Sequence, residues 1–297
     1  MPVTSPAPGL KRPPAVLRAG MRAASAASRT LGPLGHVLAD LTALSAYALH
    51  PDAARRTARN HRRAIPGLGP QASYRLARSS FRAYGRMIVD SLEAIGLEPR
   101  QVERRTTVVG WEHIDAARDQ GRGAILAMCH FGSWDVALTL GLARGLRVAT
   151  VMAPVGPPWL TEVVAWERRR HGLELFSLDH AARGFLRSLR RGDCVGVMMD
   201  IPQQGPATEV DFCGGRVRFS TVAAWLALRT GAPILAVDCW RMRSGHWLEV
   251  HAPIVVGEGD DVDSLTGRVA SVMEGAVLKR PEQWYPFHHV FADEHRA

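Results

Sequence analysis

Acidic residues are missing from the first 31 positions, and lysine is nearly missing throughout, with only Lys11 and Lys279 among 37 basic residues. The stretch up to Leu31 is rich in Ala, Arg, Pro and Ser and lacks the apolar core of a signal peptide. Its composition fits a basic, disordered tail over residues 1–30, and equally an organelle transit segment. Cysteine is scarce. Cys129, Cys194, Cys213 and Cys239 lie far apart, which excludes a paired zinc motif and a disulfide framework and leaves reduced thiols. No Gly-x-Ser-x-Gly elbow occurs, so covalent serine hydrolysis has no support. Helix-turn-helix, zinc-finger and aromatic-basic signatures are absent, so nucleic acid is not an expected partner. Long apolar runs are absent as well. Leu31 to His50 comes nearest, but His36 and Asp40 interrupt it and Gly32, Pro33 and Gly35 break its start. It reads as an amphipathic or buried helix rather than a membrane span.

What is present fits a globular α/β protein. The chain has 297 residues, 46% hydrophobic and 22% charged, enough for a sizeable core. A net charge of +9 favours anionic partners such as phospholipid head groups or coenzyme A. Helices are expected over Leu34 to Leu49, Ala53 to Ala64 and Gln71 to Ile95. The last carries Phe81, Tyr84, Ile88, Leu92 and Ile95 at helical spacing, a stripe that reads as core. Arg55, Arg56, Arg59, Arg62 and Arg63 crowd the second helix, as a solvated face or as a surface for an anionic membrane. From Thr106 strands and helices alternate, with strands at Thr106–Val109, Gly123–Met128, Arg147–Met152, Leu173–Phe176, Cys194–Met199, Ile234–Trp240 and Trp247–His251. A hairpin is expected across Gly214-Gly215. This alternation predicts a mainly parallel central sheet covered by helices on both faces, with a helical N-terminal segment. Residues 31–100 would pack on the core and face the membrane, and residues 101–297 would form the core, as one unit. The loop Ala153 to Leu160, with three prolines and Trp159, is either a packed surface loop or a lip touching acyl chain or membrane.

The densest signal is Met128-Cys129-His130-Phe131-Gly132-Ser133-Trp134-Asp135. A buried strand ends in His130, turns at Gly132 and enters a helix at Trp134. Strand ends of this kind hold ligands in open α/β sheets, and a carboxylate-backed histidine there is a candidate general base. The same residues have a purely structural reading, with Ser133 as helix N-cap and Asp135 complementing the helix dipole. Cys129 and His130 are adjacent in a strand and point to opposite faces, which argues against a Cys-His nucleophile.

Further ordered blocks accompany this motif. They are Arg168-Arg169-Arg170-His171-Gly172, Asp200 after an apolar strand, Glu209-Val210-Asp211-Phe212-Cys213-Gly214-Gly215-Arg216, and Ala223 to Ile234 with its Thr230-Gly231-Ala232-Pro233 junction. Asn60 to Pro66, Ser80 to Gly85 and Pro281-Glu282-Gln283-Trp284 extend the pattern. Together these blocks, from about residue 30 to about residue 290, resemble the lysophospholipid acyltransferase superfamily. The branch is that of the lipid A lauroyl/myristoyl acyltransferases and the phosphatidylinositol mannoside acyltransferases. The resemblance implies a peripheral enzyme at the cytoplasmic face of the plasma membrane. It would move an acyl group from acyl-CoA, or an acyl carrier protein, to a lipid or glycolipid hydroxyl, with no metal and no other cofactor. It implies His130 as general base, Asp135 as the acid orienting its ring, and oxyanion donors near Ser133 and Trp134. It further implies Glu209 as a polar-acceptor or His-orienting residue, Asp200 close behind it, and Arg168 as a contact for substrate polar groups. The chain departs from the common pattern at Ser133, at Asp200 to Gly205 and at Cys213, all around the expected acceptor site. A secondary-metabolite acceptor, a non-catalytic lipid-binding homologue and a thioester hydrolase are the competing readings.

Overall fold

A computed structural model describes residues 12–96, 99–201 and 205–295. Seven strands form the central sheet: β1 (Thr106–Val109), β2 (Ala124–Met128), β3 (Val148–Val151), β4 (Glu174–Phe176), β5 (Cys194–Met198), β8 (Ile234–Arg241) and β9 (His246–Val250). A separate antiparallel hairpin comprises β6 (Ala207–Phe212) and β7 (Gly215–Ser220). The sheet order is β1-β9-β8-β2-β5-β3-β4. The five strands from β8 to β4 are parallel, whereas β9 runs antiparallel to β8 and carries β1 parallel to itself.

The apolar runs expected as inner strands follow from burial on both faces. Along β2, Ala124 and Leu126 enter one apolar layer while Ile125, Ala127 and then Cys129 enter the other. The first layer is closed by α6 (Glu112–Asp119), α7 (Trp134–Ala143) and α8 (Pro158–Arg170), through residues such as Ile114, Leu140 and Ala165. The second is closed by α9 (Leu178–Arg190), α10 (Val222–Thr230), α11 (Val262–Lys279) and the hairpin, through Phe185, Leu226, Met273 and Phe219. Helix boundaries follow local chemistry. Gly231 ends α10 in the left-handed conformation at φ 68°, and Asp261 with Ser264 forms a reciprocal capping box on α11.

Ahead of the sheet come α1 (Ala15–Leu31), α2 (Pro33–Leu49), α3 (Pro51–Ala64), α4 (Pro70–Gly96) and α5 (Pro99–Arg104). The expected tail is therefore helical from Ala15, because this Ala- and Arg-rich stretch is made of strong helix formers. Residues 1–11 of that tail lie outside the described residues. Arg12 and Arg18 stand over the Trp166 ring at 5.4 and 5.6 Å, which ties this segment to α8. The α4 stripe is only partly core: Tyr84 and Ile88 are exposed, while Ala77, Met87 and Ala94 are buried. Asp40 on α2 holds Arg82 and Arg86 of α4 at 2.5 and 2.6 Å. The outer face of α2 exposes Leu34, Val37, Leu38 and Leu41. Among the described residues, no helix is long and apolar enough to cross a membrane.

The chain leaves β2 through one constrained position. Gly132 has φ 61°, and a Cβ there would lie 1.9 Å from the Cys239 carbonyl oxygen. The left-handed backbone and the missing side chain are both required at this point. Gly132→Ala is expected to lower stability by about 2–4 kcal/mol, read as a lower denaturant midpoint. An unchanged midpoint would mean that the loop does not press on β8.

Candidate active site

Strands β2 and β5 pair in parallel register, Met128 opposite Met198, and the Met199 N–H donates to the Met128 carbonyl at 2.8 Å. Two residues beyond that register, His130 and Asp200 emerge side by side at the carboxyl ends of adjacent inner strands. Asp200 accepts twice from the same residue: its Oδ2 from the His130 backbone N–H and its Oδ1 from Nδ1, both at 2.9 Å. The Asp200 side chain is 7% exposed and that of His130 31%. Burial alone would raise the Asp200 carboxyl, but the charge and hydrogen bonds of His130 bring it below the usual carboxylate range. As an ionised acceptor, Asp200 requires the hydrogen to sit on Nδ1, which leaves the Nε2 lone pair free in the neutral ring. Burial likewise pulls the His130 pKa down, and the Asp200 charge and hydrogen bond outweigh it, so the net shift is upward.

The loop after His130 is clamped on several sides. Phe131 forms an antiparallel bridge with Trp284, and Gly132 donates to the Gln283 carbonyl at 2.8 Å. Tyr285 donates its hydroxyl to the Gly132 carbonyl at 3.2 Å, and Ser133 donates its N–H to the Cys239 carbonyl at 2.6 Å. The Gln283 side chain in turn bonds the backbone N–H and carbonyl of Arg241 at 2.8 and 2.9 Å. Trp134 sets its ring edge-to-face with His130, centroids 5.3 Å apart, and with Tyr285 at 6.0 Å.

The sequence-predicted residues separate into two pairs. His130 is joined by Asp200, the residue ranked second to Glu209 in the sequence reading. Asp135 does not fill the ring-orienting role; it forms an ion pair with Arg168 of α8 at 2.5 Å. The cause is geometric. Strand pairing brings Asp200 level with His130, whereas Asp135 lies inside the first turn of α7 and meets a guanidinium. Glu209 lies on β6 opposite Arg218, and the carboxylate at the His130 ring is Asp200 instead. Ser133 is buried at the N-cap position of α7, but its side chain makes no capping hydrogen bond. Its N–H is spent on Cys239, so of the two expected oxyanion donors only the Trp134 amide, together with that of Asp135 beside it, has no acceptor within the helix. Cys129 lies in the layer opposite to α7, and burial pushes its thiol well up. Gln283 and Tyr285 were absent from the expected site. The only signal pointing to them is the Pro281 to Trp284 block. Part of the acceptor segment, residues 202–204, lies outside the described residues.

Comparison with known proteins places this geometry in context. The profile of the family described as bacterial lipid A biosynthesis acyltransferase matches residues 30–292. The chain belongs to that family. It is 26% identical over 216 residues to a phosphatidylinositol mannoside acyltransferase of Mycolicibacterium smegmatis, covering 71% of this chain and 70% of that one. It is 28% identical over 213 residues to the protein of the same name in Mycobacterium tuberculosis, covering 70% and 67%. It is 23% identical over 241 residues to the lipid A biosynthesis lauroyltransferase of Escherichia coli, covering 78% and 77%. Among solved structures, the 1-acyl-sn-glycerophosphate acyltransferase of Thermotoga maritima covers 83% of this chain and 97% of that one, at 17% identity and a TM-score of 0.42. The chain is thus an acyltransferase of the lipid A and phosphatidylinositol mannoside group.

The His130–Asp200 pair has a defined pH signature. A histidine acting as a base must be neutral, so with His130 in that role activity is expected to rise with pH through its raised pKa. Asp200→Asn removes the group that raises it and leaves burial, which lowers it. The acid limb of kcat/KM against pH should therefore move to lower pH, and the plateau should fall by roughly 10³–10⁴-fold. A limb that stays in place, or moves up, would show that Asp200 does not set the titration.

Proposed function

We propose that this chain moves a fatty acyl group from acyl-CoA to a hydroxyl of a glycolipid such as a phosphatidylinositol mannoside. The reaction runs at the cytoplasmic face of a membrane with His130 as general base. The observation that carries this reading is the doubly bonded, buried Asp200, which fixes the His130 ring with Nε2 available to a substrate hydroxyl. The acceptor hydroxyl gives its proton to Nε2 as its oxygen attacks the thioester carbonyl. The imidazolium that forms is stabilised by the adjacent carboxylate, the role an acid plays in acid-backed hydrolase histidines. The tetrahedral oxyanion takes hydrogen bonds from the amides that open α7 at Trp134 and Asp135. Collapse breaks the C–S bond, the thiolate leaves with the proton from Nε2, and an ester remains on the acceptor. The Arg168–Asp135 pair orients polar substrate groups, with Arg168 supplying a charge that matches phosphate or pyrophosphate.

Membrane attachment is supported by the apolar row on α2, namely Leu34, Val37, Leu38 and Leu41, next to the arginine-rich α3. Such a surface gains from burying apolar side chains in the interface and from attraction to anionic head groups.

Purified protein should release free thiol from long-chain acyl-CoA only when a phosphatidylinositol mannoside acceptor is present, with the acylated product seen by mass spectrometry. His130→Ala should lower turnover by about 10²–10⁴-fold while folding and vesicle binding persist. Wild-type turnover in that variant would remove the proposed base. Thiol release without acceptor would instead indicate a hydrolase.

A further inference from the structure

A cavity of about 330 Å³ opens between β8, β9 and the C-terminal end of α11. Trp240 and Trp247 stand directly opposite in the β8–β9 register and stack at 5.9 Å with 20° between their planes, forming an aromatic wall. His251 and Glu249 of the β9 side share the cavity with Lys279 and Arg280 at the end of α11. His251 is not loose: its Nε2 lies 2.7 Å from Oδ2 of Asp238, a carboxylate whose side chain is 1% exposed. On the α11 wall, Gly275 has nothing within 4 Å of where a Cβ would stand, so the helix backbone is bare towards the hollow. Trp247 keeps a buried indole N–H with no partner among the described residues. None of these groups hydrogen-bonds to His130 or Asp200 in the bonds described above, and the acyl-transfer chemistry leaves them unused.

The lining defines a ligand class. A flat indole pair accepts the face of a ring. Lys279 and Arg280 present cationic groups that suit an anion, and charge-assisted bonds of this kind are the strong ones, while His251, with Nε2 on Asp238 and Nδ1 3.9 Å from Glu249, braces the wall. Glu249 supplies an acceptor for hydroxyl groups. The volume falls in the range of small-molecule sites. We propose that this groove binds a hydroxylated, sugar-like ring carrying a phosphate, at a site separate from the acyl-transfer centre. Trp240 joins its wall to that centre, its ring 6.4 Å from that of Phe131 in the His130 loop. The proposal stands independently of the acyl-transfer reading.

Calorimetric titration of the full chain tests it, with glucose 6-phosphate as probe and glucose and inorganic phosphate as controls. Glucose 6-phosphate should bind at one saturable site, about tenfold or more tighter than either control. Gly275→Leu, which fills the open space with a better helix former, and Lys279→Glu, at an exposed position, should each weaken it by about tenfold or more. His130→Ala should leave it unchanged, so a failure of the catalytic reading stays distinguishable. Phosphatidylcholine vesicles containing phosphatidylinositol form a second arm. Displacement of the probe by these vesicles but not by phosphatidylcholine vesicles alone assigns the groove to a lipid head group, and no displacement assigns it to a soluble phosphosugar. No binding in the millimolar range, equal binding of inorganic phosphate, or full binding by Gly275→Leu with a wild-type thermal midpoint overturns the proposal.

Discussion

One buried carboxylate meets a histidine twice, and most of the architecture serves that meeting. Taking the Asp200 charge out of water costs several kcal/mol unless donors replace the lost hydration. Here the replacements are the backbone N–H and the ring of a single residue, His130. The main chain and the imidazole are therefore locked by the same group, so ring rotation and loop displacement are both opposed. That arrangement exists only because β2 and β5 are parallel neighbours in register. A slip of one residue would turn either side chain to the other face of the sheet and leave a bare buried charge.

The second constraint is the seam that fixes the loop beyond His130. Gly132 is pressed under the Cys239 carbonyl, receives the Tyr285 hydroxyl, and donates to Gln283. Gln283 in turn grips Arg241 by its backbone, and Arg241 forms an ion pair with the buried Asp90 of α4. Asp90 also receives His246 at 3.0 Å. The N-terminal helices are thereby joined to the strand ends that carry His130 by a continuous chain of polar contacts. The α2–α4 layer that carries the exposed apolar row is part of the same rigid support as His130, not an appended tail.

This explains which parts of the site were legible in the sequence. The strand–His–Gly–helix pattern around His130 is local, and the unbroken apolar runs of β2, β5 and β8 made the strand ends readable without a structure. The acid partner was not. Asp135 lies close in sequence, so a local reading favours it, yet its neighbour is set by α8, which delivers Arg168. Asp200 lies far along the chain, and only the pairing of β2 with β5 reveals that it stands opposite His130. Glu209 was favoured by resemblance alone, and the hairpin carries it to a position opposite Arg218. The Ser133 amide looked available because helix starts usually leave such groups free. The carbonyl that takes it belongs to Cys239, on a strand that enters much later. The N-terminal segment misled in a different way. Its missing acids and clustered prolines suggested a tail, but from Ala15 onward the helix-forming residues dominate and the arginines find Trp166.

The chain contains a second acid-backed histidine, His251, and the two are held in different ways. Asp200 is drawn below the usual carboxylate range because His130 offers it both charge and two donors. Burial pushes the Asp238 carboxyl up, beyond what the single bond from His251 takes back, and the nearby Glu249 charge pushes the same way. The His251 pKa is raised first by its hydrogen bond to Asp238, with Glu249 again adding to the rise. Two carboxylates around one imidazole favour keeping a proton at that site and offset the charge it carries. The twice-bonded Asp200 behind His130 keeps the proton on Nδ1 and leaves Nε2 open. The same residue types are thus wired differently: the buried acid takes Nδ1 at His130 and Nε2 at His251, and only at His130 does it also hold the backbone N–H of the same residue.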